Sequence, residues 1–254
     1  MRRFATLTLG AALLAGATAW GDIHVAPTGD DSKTGENWAE ALATIGAAVG
    51  RASAGDRILV SNGTYQVTSE VALTAGITIA GYGAREETIV SGPGAGSRVF
   101  RLAHADAVLE NLTVTGGGVP AGDLKGAGVF LAAGTVRNCI IADNTPAVQY
   151  VYGVGLYMDG GVVSNCLIRG NRATMSSWSY SKGCGAHVAG GLLADSTLEE
   201  NGLMTGNQGN QGGGLYLVDG VVSNCLIRAN RVSSTNGRGA GVNMSGGQLL
   251  ACRV

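Results

Sequence analysis

The chain is poor in proline, in aromatic side chains and in charge. Only 4 of its 254 residues are proline and no Gly-X-Y period is present, so a collagen triple helix is excluded. Charged residues make up 14% of the sequence and the net charge is −1, which leaves no basic face for nucleic acid. Because 45% of the residues are hydrophobic, the low charge does not indicate disorder.

Motifs for metal, phosphate or redox chemistry are also missing. The histidines His24, His104 and His187 lack the spacing of metal ligands, and no C-x-x-C pair occurs. The Gly-Gly-Gly runs at 116–118 and 212–214 are not followed by the Lys-Ser/Thr of a phosphate-binding loop. The sequence therefore predicts neither a metal site nor a cofactor.

The sequence has an excess of glycine, with 43 residues. Each glycine inside a helix costs roughly 1 kcal/mol relative to alanine, which argues against a mainly helical protein. The hydrophobic residues lie in short runs between glycine, asparagine and aspartate, and this pattern is typical of short strands joined by turns.

The first residues, 1–19, have the pattern of a signal peptide. Arg2 and Arg3 precede an apolar segment from Phe4 to Gly16, and Ala17-Thr18-Ala19 fits a cleavage site. The apolar segment is too short to span about 30 Å of hydrocarbon, and no other segment could form a transmembrane helix. We therefore expect a secreted or cell-surface protein.

Internal repetition is the strongest signal in the sequence. Four similar units occupy 126–144, 153–171, 183–201 and 212–230, and a fifth begins at Gly239. The units end at asparagines separated by 27, 30 and 29 residues, namely Asn144, Asn171, Asn201 and Asn230. A repeat of this length indicates stacked, similar coils of a solenoid.

Each unit contains three short runs that alternate with a period of two. In the second unit the runs are 156–158, 162–163 and 166–168. Each run is expected to pair in parallel with its equivalent one repeat later, about 4.8 Å away. The sequence thus predicts an all-β, parallel β-helix (solenoid) of roughly seven coils, with inward-facing residues that include Leu156, Met158, Val163, Cys166 and Ile168.

These repeats resemble the right-handed parallel β-helix of the pectin lyase-like superfamily. The segment 23–65 is similar to the start of many secreted β-helix proteins, and the Gly-rich N-C-x-I coils resemble polymorphic outer-membrane and adhesin-type passengers. The resemblance implies an N-terminal strand and capping helix over 20–56, followed by β-helix repeats over 57–254. The last repeat is incomplete, so we expect a truncated array with an anchor, a barrel or a catalytic region downstream.

Independent capping signals support a helix in the N-terminal segment. Asn37 can cap it, with Glu40 three residues later. The side chains expected on one face of that helix are Trp38, Leu42, Ile45 and Val49. Such a helix would cover the open edge of the first coil.

Four cysteines recur at one repeat position and are expected to point inward. They are Cys139, Cys166, Cys225 and Cys252, with Ser196 in the gap. The pattern predicts small buried thiols that fill a narrow core. A disulfide between Cys139 and Cys166 is the main alternative. Cys184 lies outside this column and is expected on a loop edge.

Two further columns are polar. Asn138, Asn165 and Asn224 are expected at a bend, because asparagine tolerates left-handed backbone and stacked amides can hydrogen-bond along the axis. Asp195 is expected to break this ladder. Arg169, Glu199 and Arg228 should form an exposed ladder of ion pairs worth about 1 kcal/mol or less each.

The candidate ligand-binding residues are aromatic. Phe130, Tyr157, His187 and Tyr216 should form an outward column on the sheet that, by the resemblance, floors a polysaccharide groove. The variable loops add Trp178 and Tyr180 as candidates. Flat rings suit the apolar faces of sugars, but cross-strand stacking alone also explains such a column.

Catalytic residues are not assigned by the sequence. A glycosidase needs two carboxylates across a scissile bond, and Asp159 and Asp219 lie beside glycine in turns. The leading hypothesis is an adhesin-like, non-catalytic scaffold that contacts polysaccharide or cell-surface glycans. The alternative is a polysaccharide lyase or glycoside hydrolase, and the resemblance implies that a lyase would use acidic residues to bind Ca²⁺.

Overall fold

The computed structural model describes residues 21–94, 96–148, 150–174, 181–204 and 209–254. Three predictions fall elsewhere in the chain. The signal peptide over 1–19 and the candidate residues Trp178 and Tyr180 lie outside the described residues.

The chain folds as an all-β parallel solenoid whose repeating coil contributes one strand to each of three sheets. The first sheet has seven strands: Val71–Leu73, Phe100–Leu102, Val129–Leu131, Leu156–Met158, Ala186–Val188, Leu215–Leu217 and Val242–Met244. The second sheet has nine: Asp22–Val25, Arg57–Val60, Thr78–Gly81, Val108–Glu110, Thr135–Arg137, Val162–Ser164, Leu192–Ala194, Val221–Ser223 and Gln248–Leu250. The third has seven: Gly63–Gln66, Thr88–Ser91, Thr113–Thr115, Ile140–Ala142, Leu167–Arg169, Thr197–Glu199 and Leu226–Arg228.

The predicted register of the repeats is confirmed. Leu156 pairs in parallel with Val129 of the preceding coil and with Ala186 of the next. The side chains of Leu156, Met158, Val163, Cys166 and Ile168 are all buried, as predicted. The chain makes about six turns from the first strand of the first sheet to the last, slightly fewer than the expected seven coils.

The N-terminal cap is present but is divided into two short helices. Asn37 caps a 3-10 turn, Trp38–Glu40, and Thr44 caps the helix α1, Ile45–Arg51. Between them Leu42 is extended, and its N–H donates to the carbonyl of His24 at 2.8 Å. The expected single helix from Asn37 is therefore wrong, because this segment pairs with the edge strand of the second sheet. Leu42 and Ile45 are buried, whereas Trp38 is 38% exposed.

A ladder of asparagine amides, of which the first three are buried, runs along the axis where the third sheet ends. The members of this amide ladder are Asn144, Asn171, Asn201 and Asn230, the residues whose spacing reveals the repeat. Nδ2 of each of the first three donates to Oδ1 of the next at 2.9–3.0 Å, and the backbone N–H donates to the same oxygen at 3.0–3.2 Å. The second proton of each amide donates to a backbone carbonyl, so these buried groups are satisfied.

A second asparagine ladder lies at the bend between the second and third sheets, as predicted. Asn138, Asn165 and Asn224 have φ of 51°, 52° and 51°. Nδ2 of Asn165 donates to Asn138 Oδ1 at 3.2 Å. Asp195 is expected from the sequence to interrupt this ladder. On the side of Asn224 this expectation is wrong, because the Asp195 carboxylate accepts a hydrogen bond from Nδ2 of Asn224 at 2.7 Å.

The cysteine column points inward as predicted. The backbone N–H of Cys139 donates to Cys166 Sγ at 3.5 Å, and that of Cys225 donates to Cys252 Sγ at 3.4 Å. All five cysteines are free thiols. Burial raises the pKa of the Cys139 thiol well above its ordinary value.

Cys184 does not lie on a loop edge as expected. The segments that follow each third-sheet strand form two small parallel sheets, made of Val151–Tyr152 with Ser181–Lys182, and of Arg172–Thr174, Gly202–Met204 and Arg231–Ser233. These segments enclose a second hydrophobic cluster, in which Cys184 is fully buried beside Val154 and Leu203. Its Sγ donates to the carbonyls of Asn171 and Gly202 at 3.0 and 3.1 Å, and burial raises the pKa of Cys184 to about 12.

The charged ladder on the third sheet is confirmed in register, but only one of its two expected ion pairs forms among the described residues. Arg169, Glu199 and Arg228 are adjacent in successive strands, and Nη2 of Arg228 lies 2.7 Å from a Glu199 carboxylate oxygen. Both arginine side chains are exposed, so this pair contributes little to stability.

Replacement of Asn171 by leucine tests the amide ladder. Asn171→Leu removes the acceptor for two donors of Asn144 and one of the two donors to Asn201 Oδ1, so we expect a loss of about 3 kcal/mol in the free energy of unfolding. Asn165→Gly is the matched control, because it keeps the left-handed backbone and removes a half-exposed amide, at a cost of about 1 kcal/mol or less. Equal losses in urea unfolding would contradict a special role for the buried ladder.

Thiol titration tests the cysteine column. Unfolded, unreduced protein should react with five equivalents of a thiol reagent. In the folded protein Cys252 should react first, because its side chain is partly exposed while the other four are buried. A count of three in the unfolded protein would show one disulfide and would support the Cys139–Cys166 alternative if peptide mapping located it there.

Candidate functional site

The predicted aromatic column is present on the outer face of the first sheet. Strand register places Phe130, Tyr157, His187 and Tyr216 side by side on successive coils, and we call this set the ring ladder. Phe130 meets Tyr157 edge-on at 5.4 Å between ring centroids. His187 is stacked between Tyr157 and Tyr216, at 4.9 and 5.1 Å. Asn243 follows in register on the next coil.

The ring ladder is not the open floor that the resemblance implies. Its four side chains are only 5–7% exposed. Tyr152 covers part of it, with its ring 5.5 Å from that of His187. The cover comes from the segments that return the chain to the first sheet, whose described residues pair or form bridges with one another beside the rings.

A polar column runs beside the ring ladder. It consists of residues that pair or form bridges on successive coils, Lys125, Tyr152, Lys182, Gln211 and Arg238, and we call it the return column. Sequence analysis missed it. The signal was available, because each member directly precedes the Gly-x-Gly that opens a repeat.

Two lysines of the return column lie over rings of the ladder. Lys125 Nζ is 4.8 Å from the centroid of Tyr157, and Lys182 Nζ is 4.7 Å from that of Tyr216. Lys182 Nζ also donates to the Tyr216 hydroxyl at 3.3 Å. The ammonium group of each lysine therefore interacts with the face of a ring and remains at the rim of the ring ladder.

The titratable side chains of the ring ladder have shifted pKa values. Burial lowers the pKa of His187 to about 4, so its imidazole is neutral near pH 7. Burial, together with a hydrogen bond and the charge of Asp159, raises the pKa of Tyr157. Burial also acts to raise the pKa of Tyr216, but hydrogen bonds with Ser245 and Lys182 and the Lys182 charge outweigh it, so this pKa is lowered.

These residues surround a shallow cavity of about 330 Å³, which we call the lysine cleft. Its lining consists of Lys125, Tyr152, Tyr157, Lys182, His187, Tyr216, Val218 and Ser245. A larger cavity of about 490 Å³ lies between α1 and the first coils, where Ile45, Val49 and Val67 contribute apolar surface and Glu70 is the one carboxylate. The lysine cleft is therefore the cavity that brings cations and rings together.

A buried arginine fixes the N-terminal end of the ring ladder. Arg98 is 1% exposed and lies 2.9 Å from a Glu70 carboxylate oxygen and 2.7 Å from one of Asp123. Its guanidinium is 5.0 Å from the Phe130 ring centroid. Arg98 thus ties the segments that carry Glu70 and Asp123 to the ladder.

Of the acidic residues, Asp159 reaches the rim of the cleft, where its carboxylate accepts a hydrogen bond from Tyr157, and the described lining itself contains no carboxylate. Asp159 lies 4.0 Å from Lys125 Nζ at the rim, and Glu199 pairs with Arg228 on the third sheet. Asp195 is at the bend between the second and third sheets, on a different part of the coil from His187. Among the described residues, no group of three or more histidines, cysteines and acids could hold a metal ion.

The chain matches no family model, no curated protein and no solved structure. In the part of the chain that the structure describes, neither helical segment has the length and apolarity needed to cross a membrane.

The pH dependence of stability tests the burial of His187. The unfolded chain takes up a proton near pH 6.5, whereas the folded chain does so near pH 4. The contribution of His187 to the free energy of unfolding is therefore fully present above pH 6.5. As the pH falls toward 4, the free energy of unfolding decreases by on the order of 2 kcal/mol. His187→Phe keeps a ring and should remove this part of the pH slope in urea unfolding. An unchanged slope would show that His187 does not titrate as its burial requires.

Proposed function

We propose that this chain is a right-handed parallel β-helix of the pectin lyase-like kind that acts as an exported, adhesin-like scaffold and contacts acidic polysaccharide. Three features support the proposal: the signal-peptide pattern of residues 1–19, the capped first coil and the regular Gly-rich repeats. The localisation that follows is secreted or cell-surface.

The lysine cleft is the observation that carries the binding function. Lys125 and Lys182 provide two cations at its rim, and Tyr157, His187 and Tyr216 provide ring edges between them. Acidic sugars carry carboxylate or sulfate groups that the two ammonium groups complement, and the ring edges, only 5–6% exposed, add a small apolar surface between them. Because His187 is neutral near pH 7, it adds a polar ring without adding charge.

Binding without turnover is favoured over hydrolysis by the position of the acids. A glycoside hydrolase needs two carboxyl groups on either side of the scissile bond. The described lining of the lysine cleft contains no carboxylate, and the nearest acid, Asp159, is engaged with Lys125 at the rim. We therefore do not propose a hydrolase.

A polysaccharide lyase remains the second candidate, because Tyr216 has a lowered pKa and receives a hydrogen bond from Lys182. In such a reaction a base removes the proton beside the uronate carboxylate, a carbon–carbon double bond forms, and the glycosidic C–O bond breaks. The leaving oxygen takes up a proton. Tyr216 could accept the first proton, and Lys182 could stabilise the carboxylate. A Ca²⁺-dependent lyase would need a cluster of acidic ligands, and none is found among the described residues.

The binding proposal is tested with polygalacturonate and a sulfated glycan as probes. We expect wild-type protein to bind with an affinity that falls as salt is added. The double change Lys125→Gln and Lys182→Gln should weaken binding about tenfold or more, because it removes both cations of the cleft. Arg169→Gln removes an exposed cation of the third sheet and is the matched control, with no expected effect.

Turnover assays on the same samples separate the two candidates. Binding without new unsaturated or reducing ends supports the scaffold. Formation of unsaturated ends that is lost in Tyr216→Phe would overturn it in favour of the lyase. Equal binding by wild type and the double lysine variant would contradict the assignment of the lysine cleft.

A further inference from the structure

A second cluster of aromatic side chains lies at the N-terminal end of the solenoid, outside the ring ladder. The rings of Trp38 and Tyr82 meet edge-on at 5.0 Å between centroids, and Trp38 meets His24 at 4.6 Å. Trp38 is 38% exposed and Tyr82 is 65% exposed, whereas the rings of the ladder are covered. In a chain with only 5% aromatic residues, this exposed pair requires an explanation.

The backbone holds each ring of this cluster in place. Asn37 caps the 3-10 turn that carries Trp38, accepting from the N–H groups of Ala39 and Glu40. Nδ1 of His24 lies 3.1 Å from the carbonyl of Gly35, and the strand of His24 belongs to the second sheet. The N–H of Tyr82 donates to the carbonyl of Val60 at 2.8 Å, directly after a strand of the same sheet. The exposed rings are therefore pre-positioned, so little conformational entropy would be lost on binding.

Polar groups border the rings. Gly83, next to Tyr82, packs so tightly on Asn62 that a Cβ at this position would lie 2.0 Å from Asn62 Oδ1. Nδ2 of Asn62 donates to a Glu87 carboxylate oxygen at 2.6 Å, and both side chains are exposed. An amide and a carboxylate thus lie against the backbone that directly follows Tyr82, with capacity for further hydrogen bonds.

We propose that Trp38 and Tyr82, with Asn62 and Glu87 at their edge, form a binding platform for an uncharged sugar residue. Sugars with equatorial substituents, such as β-linked glucose and N-acetylglucosamine, present flat C–H faces that match aromatic rings, and their hydroxyls match amide and carboxylate groups. Glu87 disfavours acidic sugars by charge repulsion. The chemistry is therefore the opposite of that of the lysine cleft, and this inference does not rest on the proposed function.

The experiment uses cellohexaose and chitohexaose as probes, with calorimetry on the full chain. At least one probe should bind wild-type protein, and Trp38→Ala or Tyr82→Ala should weaken that binding about tenfold or more. Tyr82→Phe keeps the ring and should bind nearly as well as wild type. Tyr150→Ala is the matched control, because Tyr150 is 37% exposed and belongs to a different surface segment. It should leave binding unchanged.

Several outcomes would overturn the proposal. These are the absence of binding by both probes, binding that survives both alanine variants, or Trp38-dependent association with phosphatidylcholine vesicles in place of sugar. Because Tyr82 is mostly exposed, Tyr82→Ala should retain the wild-type unfolding midpoint, so a loss of binding in this variant is not a loss of fold. Lys125→Gln with Lys182→Gln should leave binding of the neutral probes intact, which separates this platform from the lysine cleft.

Discussion

The amide ladder is the constraint on which the other columns of this protein depend. Oδ1 of Asn171, Asn201 and Asn230 each accepts two hydrogen bonds from the coil before it, one from an amide and one from the backbone. The groups are buried, so a shift of register by one residue would leave several of them without partners, at about 1–3 kcal/mol each. The ladder therefore locks adjacent coils in register at the point where the third sheet ends and the return segments begin. Register at that point determines which side chains meet in the thiol column, the ring ladder and the return column.

Stacking at about 4.8 Å also limits which charges a column can carry, because like charges on adjacent coils repel. The return column obeys this limit. Its cations, Lys125, Lys182 and Arg238, occupy alternate positions, and the neutral side chains of Tyr152 and Gln211 separate them. The ladder on the third sheet meets the same limit differently, with Glu199 between Arg169 and Arg228. In the first arrangement Lys125 and Lys182 lie together at one cleft, and in the second Glu199 pairs with Arg228, so the lysine cleft is the better candidate for an acidic partner.

The features that sequence analysis predicted are those that recur at the repeat spacing. The parallel coils, the inward thiols, the left-handed asparagines and the order of the ring ladder all follow once residues one repeat apart are neighbours. The errors arise where non-repeating segments decide the outcome. Leu42 extends as a strand because it pairs with His24, and no helical periodicity contains that information. Cys184 is buried by a second cluster that the return segments form, and the same segments cover the ring ladder. The lysines of the return column do recur at a fixed repeat position. Because only two of its five members are lysine, the column could not be recognised as a pattern of charge.

The solenoid gives the two proposed surfaces a fixed relation to each other. Tyr82 follows the second-sheet strand of an early coil, and Tyr157 lies three strands later along the first sheet, which corresponds to about 14 Å along the axis. A long polysaccharide that contains both neutral and acidic residues can span such a distance, and the second contact is then intramolecular. Neither surface needs high affinity on its own, because the rigid coils between them hold the two at constant separation. Under the two proposals, a shallow cleft and an exposed ring pair, each a poor site for a small substrate, would therefore act together on one long chain.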